Sequence, residues 1–217
     1  MHTPTRGGRN LTEQRGELVR KSYLGPDAEV RLATEWTALV GLRGRFPAPL
    51  PAMGTDRGLL MRFVPGVPGH VAVEAGLADR VLALCGRLRL ELDSVEVAGL
   101  SGSGVVVHGD FGPQNLLVTP TAEDVVAVVD WEWCRLGDPV EDLAWAEWTV
   151  RVHHPAAVCA VEAMYAAYGA RPAWSARWDA MMAACLRCRD FCERGGNAAG
   201  VASWDERIAR TATFRDR

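Results

Sequence analysis

The first sixty or so residues alternate between short apolar runs and turn residues, which predicts strands with one helix between them. Residues 11–14 and 17–23 are predicted to form two short strands joined by a tight turn. A helix is predicted over residues 27–42, with Asp27 as its N-cap, and the apolar run 58–64 predicts a buried strand.

From about residue 70 the apolar positions recur mainly at helical spacing. Helices are predicted over residues 71–91, 138–152, 155–168, 175–193 and 204–211, and short strands over residues 105–107, 116–118 and 125–129. A turn-rich segment at residues 65–69 separates the two patterns. The predicted fold class is α+β, with a small antiparallel-sheet lobe over residues 1–64 and a larger, mainly helical lobe over residues 65–217.

Composition narrows the range of partners. The 217 residues carry a net charge of −3, with a pI of about 6.0, which is not typical of a chain that binds nucleic acid or an anionic membrane surface. No apolar run approaches the ~20 residues that span a bilayer. The N-terminal residues contain no apolar signal core, so we expect a cytoplasmic protein whose six cysteines are reduced.

The most informative stretch is HGDFGPQN at residues 108–115, followed after a predicted hairpin by VVDWE at residues 128–132. Asp110 is suited to accept a proton from a hydroxyl group, and Asn115, five residues later, offers a neutral amide oxygen. Asp130 adds an anionic oxygen, and Mg²⁺ prefers such hard ligands. The Asp-x4-Asn spacing is that of a kinase catalytic loop. The alternative is that Asp110 and Asn115 only form turn hydrogen bonds.

The segments HGDFGPQNLLV and VVDWEWCRLGDPVEDLAW resemble the signature of the aminoglycoside phosphotransferase and choline kinase-like family. The resemblance covers about residues 105–148. It implies a protein-kinase-like two-lobe fold and transfer of the γ-phosphoryl group of ATP or GTP to a hydroxyl of a small molecule. Asp110 would be the catalytic base, Asn115 and Asp130 the Mg²⁺ ligands, and His108 a residue that braces the loop.

Two features separate this pattern from that of a protein kinase. The DFG triplet at residues 110–112 lies inside the catalytic loop, so the counterpart of the metal-binding Asp is Asp130. Only a few residues separate Asp130 from the helix predicted to start near Asp138, which leaves no room for an activation loop. Gly109 also replaces the Arg of the HRD motif.

The sequence signals for the nucleotide-binding residues are weaker than those for the catalytic loop. Gly7 and Gly8 lie in a segment that is either a shortened phosphate loop or a plain turn. The following strand carries adjacent cations, Arg20 and Lys21, which alternation places on opposite faces. Lys21, the only lysine of the chain, is favoured as the residue that contacts the phosphates, and Arg20 stays open as the alternative.

Glu35 shares a helical register with Leu32 and Leu39, so it is predicted to face inward and to pair with that cation. The alternative is a half-exposed position at the edge of the helix. Residues 59–64 resemble the hinge strand of the family, where backbone groups of Arg62 and Val64 would hold the base of the nucleotide.

The acceptor is not specified by the sequence. Glu141, Trp145 and Trp148 share one helix face, which is explained either by core packing or by an aromatic and acidic pocket for a cationic acceptor. Asp142 is expected to anchor the catalytic loop.

Two further signals are expected to be structural. The segment DPVE at residues 138–141 matches a helix capping box. Cys185, Cys188 and Cys192 follow Met181 at helical spacing, so they predict a core stripe rather than a metal site. The competing functional hypothesis is a non-catalytic nucleotide-binding regulator of the same fold.

Overall fold

The computed structural model describes residues 5–7, 10–55 and 58–216. Its N-terminal part is a five-stranded antiparallel sheet in the order β1-β2-β3-β5-β4. The strands are β1 (Thr5–Gly7), β2 (Asn10–Arg15), β3 (Leu18–Tyr23), β4 (Pro51–Thr55) and β5 (Gly58–Arg62). The predicted β2–β3 hairpin is confirmed. The sequence did not predict β4, because Pro51 and Gly54 are poor strand formers and this strand lies at the edge of the sheet.

Helix α1 (Ala28–Leu42) packs on the sheet, and Asp27 occupies the predicted N-cap position. The side chain of Asp27 nevertheless makes no capping hydrogen bond, and its backbone is left-handed (φ 54°). The carboxylate pairs instead with Arg194, 2.6 Å away. The position of the cap was therefore predicted correctly, whereas the capping hydrogen bond is replaced by an ion pair with a distant arginine.

The mainly helical part begins with a broken helix rather than the single helix predicted over residues 71–91. A short helix α2 (Gly69–Ala72) runs through a wide turn, Val73–Leu77, into α3 (Ala78–Leu92). The break lies at Gly76, whose φ of 87° is readily accessible only to glycine.

The remaining helices are α4 (Val140–His153), α5 (Val161–Tyr168), α6 (Trp174–Arg194) and α7 (Ala198–Ala212). Helix α7 starts six residues before the predicted position, with the Asn197 side chain accepting from the Gly200 N–H as its cap. The segment Pro155–Ala160, predicted as the start of α5, is a tighter 3₁₀ helix. The α+β class, with a small sheet followed by a mainly helical part, is confirmed.

Short strands carry the central loops of the helical part. The strands β6 (Val67–Pro68), β8 (Leu116–Val118) and β9 (Val125–Val128) form one small antiparallel sheet, and β7 (Val105–Val107) pairs with β10 (Arg135–Gly137). β6 and β10 were not predicted, because their sequences, VP and RLG, lack the apolar run that marks β7 and β8. These pairings place the segments that follow β7 and β9 side by side.

Two apolar clusters hold the elements together. The larger one joins α1, β5 and α3 to the buried parts of the small strands, with Leu39, Leu59 and Leu82 at most 1% exposed. The smaller one lies between α4, α6 and α7 and includes Trp148, Met181 and Cys185. All six cysteines lie in the described residues and have free thiols in the structure. In residues 5–7, 10–55 and 58–216, no helix is both long and apolar enough to cross a membrane.

Candidate active site

The loop at residues 108–115 is anchored by a buried acidic residue of α4. The Asp142 carboxylate accepts hydrogen bonds from the backbone N–H groups of His108 (2.8 Å) and Gly109 (3.0 Å). The Arg89 guanidinium neutralises the same carboxylate across 2.6 Å, and both side chains are fully buried. Gly109 has a φ of 81°, and a Cβ there would lie 2.5 Å from the Trp133 carbonyl oxygen, so the turn requires glycine.

His108 connects this loop to the segment after β9. Its Nε2 lies 3.0 Å from the Val129 carbonyl oxygen, and its Nδ1 accepts from the Asp110 backbone N–H at 3.2 Å. Nε2 is therefore the protonated nitrogen that donates to Val129. The ring is buried against Trp131, with 4.5 Å between ring centroids. This placement is that of a brace between two loops.

Three side chains hold the Asp110 carboxylate in place. The Trp145 indole N–H donates to Oδ1 at 2.7 Å and Gln114 Nε2 donates to the same oxygen at 3.3 Å. Asn115 Nδ2 donates to Oδ2 at 3.1 Å and to the Asp110 carbonyl oxygen at 2.7 Å. Because the Asn115 amide nitrogen is directed at Asp110, its oxygen is the atom available to a cation.

A second group of charges lies across the cleft from Asp110. Lys21 of β3 is 6% exposed, and its Nζ donates to Glu35 of α1 at 2.5 Å. It also forms an ion pair with Asp130, whose backbone is left-handed (φ 71°). Glu35 in addition accepts from the Trp131 backbone N–H at 3.2 Å, which ties α1 to the turn after β9. The predicted pairing of Lys21 with Glu35 is thus present in the structure.

Glu132 completes this group, and the sequence did not single it out. Its carboxylate accepts from Asn10 Nδ2 at 2.8 Å, lies 3.2 Å from Arg31 Nη1 and lies 3.3 Å from Lys21 Nζ. Strand alternation could not have identified Glu132, because Asp130 has a left-handed backbone and Glu132 lies in the turn that follows. Arg31 gave no signal, because its burial depends on contacts with residues far away in the chain.

Three carboxylates come close together in this group. Oxygens of Glu35, Asp130 and Glu132 lie within 4.8 Å of one another, and Lys21 and Arg31 contact them. Such a set of hard oxygen ligands is suited to a divalent cation.

The pKa shifts follow from burial and from these contacts. Burial alone would lower the pKa of Lys21, but the carboxylates of Glu35, Asp130 and Glu132 outweigh it and raise the pKa above its usual value. Burial raises the pKa of Glu35, against the opposing effect of Lys21. Burial, followed by the charge of Glu35, also raises the pKa of Tyr23, whose hydroxyl donates to Glu35 at 2.5 Å. Lys21 is therefore charged at neutral pH.

A cleft of about 790 Å³ brings the predicted nucleotide and metal residues together. It is lined by Lys21, Glu35, Arg62, Val64, Asp110, Asn115 and Asp130. Arg20, next to Lys21 in β3, points to the opposite face of the sheet by alternation. The Arg62 N–H is bound to the Leu50 carbonyl oxygen at 2.9 Å, so only its carbonyl group is a candidate for contact with a base.

The predicted phosphate loop falls partly outside the described residues. Gly7 is the last residue of β1 and pairs with Asn10 of β2. Gly8 lies outside the described residues. Because Asn10 contacts Glu132, the paired ends of β1 and β2 lie near the charged group.

The residues predicted for the acceptor have different surroundings. Trp145 contacts Asp110 and lines a second cavity of about 670 Å³. Trp148 is 1% exposed and stacks on Trp145, and its indole N–H donates to Thr211. Glu141 forms an ion pair with Arg135 and accepts from the Asp138 N–H, as a capping box requires. The predicted capping box is present. Trp145 and Trp148 line a further cavity of about 550 Å³ with Asp110 and Glu74, whereas Glu141 pairs with Arg135 and is not among the residues of that cavity.

Solved structures share this fold. Wild-type aminoglycoside 2'-phosphotransferase-IIIa in its GDP complex matches with a TM-score of 0.77 and 13% identity, over 95% of this chain and 90% of that one. The gentamicin complex of APH(2")-IIa matches with a TM-score of 0.74 and 12% identity, over 94% and 89%. Macrolide 2'-phosphotransferase MphH from Brachybacterium faecium matches with a TM-score of 0.63 and 19% identity, over 97% and 91%.

Curated relatives match over a short stretch only. Acyl-CoA dehydrogenase family member 10 of Mus musculus is 49% identical over 41 residues, and family member 11 of Gallus gallus is 46% identical over 41 residues. Each stretch is 19% of this chain, but 4% and 5% of those proteins. The model of the phosphotransferase enzyme family (APH) matches residues 74–182, half of the chain. The chain therefore belongs to the phosphotransferase enzyme family, with the protein-kinase-like fold of its solved relatives.

Proposed function

We propose that this enzyme transfers the γ-phosphoryl group of ATP or GTP to a hydroxyl of a small molecule, with Mg²⁺ as the cofactor. One observation carries the proposal: Asp110 lines both the 790 Å³ cleft that contains Lys21 and the 670 Å³ cavity on its other side. A carboxylate between two cavities can serve a donor in one and an acceptor in the other. Residues 1–64 would form the nucleotide lobe and residues 65–217 the catalytic and acceptor lobe.

In the donor cleft, Lys21 is the residue assigned to the α- and β-phosphates, with Glu35 holding its ammonium group in position. The segment with Gly7 and Gly8 is assigned to the phosphates as a shortened phosphate loop, which would contact them through backbone N–H groups. The Arg62 carbonyl and the Val64 backbone would contact the base, since both residues line the cleft.

Asn115 and Asp130 are assigned to Mg²⁺. The three clustered carboxylates beside Lys21 and the amide oxygen of Asn115, whose nitrogen is directed at Asp110, fit a small, hard cation. When bound, Mg²⁺ would supply neutralisation of the phosphate charge. Glu132 is held by Arg31 and Asn10 at the back of the same group, which supports the turn that positions Asp130.

Asp110 is assigned to the acceptor hydroxyl. Its carboxylate is fixed by Trp145, Gln114 and Asn115, so it can orient an O–H group without reorganising. The acceptor oxygen forms a bond to the γ-phosphorus as the bond from phosphorus to the bridging oxygen breaks. The hydroxyl proton passes to Asp110, and the nucleoside diphosphate leaves.

The test is a screen of alcohols for consumption of Mg²⁺-ATP and Mg²⁺-GTP, followed by substitution of Asp110. We expect Asp110→Ala to abolish phosphoryl transfer while nucleotide affinity changes little. Asp205→Ala, on the exposed surface of α7, is the matched control and should retain full activity. Wild-type turnover by Asp110→Ala would contradict the assignment, and nucleotide binding without transfer to any alcohol would favour the non-catalytic regulator.

A further inference from the structure

The cavity on the acceptor side of Asp110 has a strongly apolar wall. It lies between the loop at residues 109–110, the segment after Asp130 and the C-terminal half of α6. Trp133, Trp145 and Phe191 contribute aromatic rings to the wall. The Trp133 and Phe191 rings meet edge to face, with 5.3 Å between centroids. An occupant of this cavity must therefore present an apolar body.

The charged groups of the wall are mainly arginines. Arg135 and Arg187 both lie against one carboxylate, that of Glu141: Arg135 makes a direct ion pair, and Arg187 Nη1 is 3.9 Å from Oε2. Two guanidinium groups that share one carboxylate leave one positive charge. Among the described residues, Glu141 is the acidic group that forms an ion pair with Arg187, whose side chain is 49% exposed.

The acidic groups of the wall, in contrast, are already engaged. Asp190 accepts from Arg194 Nε at 2.8 Å, and Arg194 also pairs with Asp27 at 2.6 Å. Asp110 is held by its three donors and is assigned to the reacting hydroxyl. A polyamine in this cavity would therefore meet an Asp190 carboxylate that already has a cation as its partner, and it would lie close to Arg187.

The electrostatics of Arg187 point in the same direction. Burial lowers its pKa, the neighbouring Arg135 lowers it further, and Glu141 opposes both effects only in part. The protein thus compensates the positive charge of Arg187 incompletely. An anionic group beside Arg187 would neutralise this remaining positive charge. A guanidinium group also offers paired N–H donors that match the oxygens of a carboxylate or a phosphate.

We propose that the acceptor is an anionic hydroxy compound: an apolar body with a carboxylate or phosphate bound at Arg187 and Arg135, and with its hydroxyl directed at Asp110. This inference rests on the proposed function, because it names the substrate class of the same site. It is opposite in charge to the cationic acceptor that the sequence suggested from Glu141, Trp145 and Trp148.

The test compares four probes that share one apolar body and differ in charge: 3-phenylpropanoate, 3-phenylpropyl phosphate, 3-phenylpropanamide and 3-phenylpropylamine. Binding is measured by calorimetry and by quenching of tryptophan fluorescence, since Trp133 and Trp145 line the cavity. We expect at least one anion to bind about tenfold more tightly than the amide, as for a charge-assisted hydrogen bond, with the amine weakest. The two anions distinguish a carboxylate site from a phosphate site.

The variant Arg187→Gln should remove the preference for the anion, and Arg189→Gln should leave it unchanged. Arg189 lies on the same helix but is engaged with Asp205 and Glu193. Equal binding of amide and anion, tightest binding of the amine, no anion binding at millimolar concentration, or an unaltered Arg187→Gln variant would overturn the inference.

Each outcome bears separately on the two proposals. If alcohols are phosphorylated but charge preference is absent, only the substrate class fails. If the anion binds through Arg187 but no nucleotide is consumed with any alcohol, the proposed function fails and the anion site stands. The hydroxylated counterparts, 3-hydroxy-3-phenylpropanoate and its amide, then connect binding to turnover, with a higher kcat/KM expected for the acid.

Discussion

The indole N–H of Trp145 donates a 2.7 Å hydrogen bond to the carboxylate of Asp110. A residue in the first half of α4 thus fixes the side chain that we assign to proton transfer. The same ring stacks on Trp148 almost in parallel, with 4.4 Å between ring centroids, so its orientation is set by the apolar cluster behind it. The geometry of Asp110 therefore depends on packing between α4, α6 and α7.

Replacing this donor should affect turnover more than binding. Trp145→Phe keeps an aromatic ring in the stack and removes the N–H group. We expect kcat to fall about tenfold, the equivalent of a charge-assisted hydrogen bond, while nucleotide affinity stays unchanged. Steady-state kinetics and a nucleotide titration measure the two effects. Trp178→Phe, which removes a 3.3 Å bond to the Thr211 carbonyl away from Asp110, is the control, and an equal loss in both variants would argue against the role of Trp145.

The buried ion pair of Arg89 and Asp142 should be a large contributor to stability. Asp142→Asn leaves the guanidinium without its counterion and places an amide nitrogen near the N–H groups of the loop. We expect the free energy of unfolding to fall by about 3 kcal/mol, and turnover to fall with it. Urea denaturation gives the first quantity. Asp124→Asn, at an exposed turn, should change little, and an equally small effect at Asp142 would contradict the anchoring role.

The sequence predicted the loop chemistry better than the surroundings of the loop. Asp110, Asn115 and Asp130 were identified because kinase-like spacing is local in the chain. Lys21 was favoured over Arg20 only as the sole lysine, and the structure brings it to Glu35. The alternation of side chains along a strand places Arg20 and Lys21 on opposite faces of the sheet, but it does not show which face is turned toward the cleft.

Other parts could not be predicted for physical reasons. Glu132 and Arg31 meet across 101 positions of the chain, and such a contact leaves no periodicity. The ion pair that replaces the capping hydrogen bond of Asp27 gave no signal, because its partner, Arg194, lies 167 positions away. The charge of the acceptor cavity likewise depends on a contact between Arg187 of α6 and Glu141 of α4. Sequence patterns identify the two helices but do not show that these residues face each other.

Thiol reactivity should follow burial. Cys159 is exposed, whereas Cys85 and Cys134 are buried, and burial raises the pKa of each of the latter to about 12. At about pH 8 their thiolate population is then roughly a thousandfold below that of an ordinary thiol. We expect a disulfide reagent such as DTNB to modify Cys159 first and to reach Cys85 and Cys134 only on unfolding. Mass spectrometry identifies the sites, and rapid labelling of Cys85 in the folded protein would contradict the packing.

Lys21 should control how the stability of the fold responds to pH. Lys21→Met leaves the carboxylates of Glu35, Asp130 and Glu132 close together without the lysine that contacts all three, while Arg31 still pairs with Glu132. The loss of a buried counterion should cost about 3 kcal/mol of unfolding free energy near neutral pH. Nucleotide affinity should fall as well.

The direction of the pH effect follows from Glu35. Its pKa is raised by burial, and Lys21 is the largest influence that opposes this, so the variant should have an even higher pKa at this group. A carboxyl whose pKa is higher in the folded than in the unfolded protein takes up a proton on folding, which stabilises the folded state as the pH falls. The Tm deficit of Lys21→Met relative to wild type should therefore shrink between about pH 8 and about pH 5.5. Added Mg²⁺ should also reduce the deficit, since it replaces the missing positive charge, and a deficit insensitive to both would show that the three carboxylates do not interact as the structure has them.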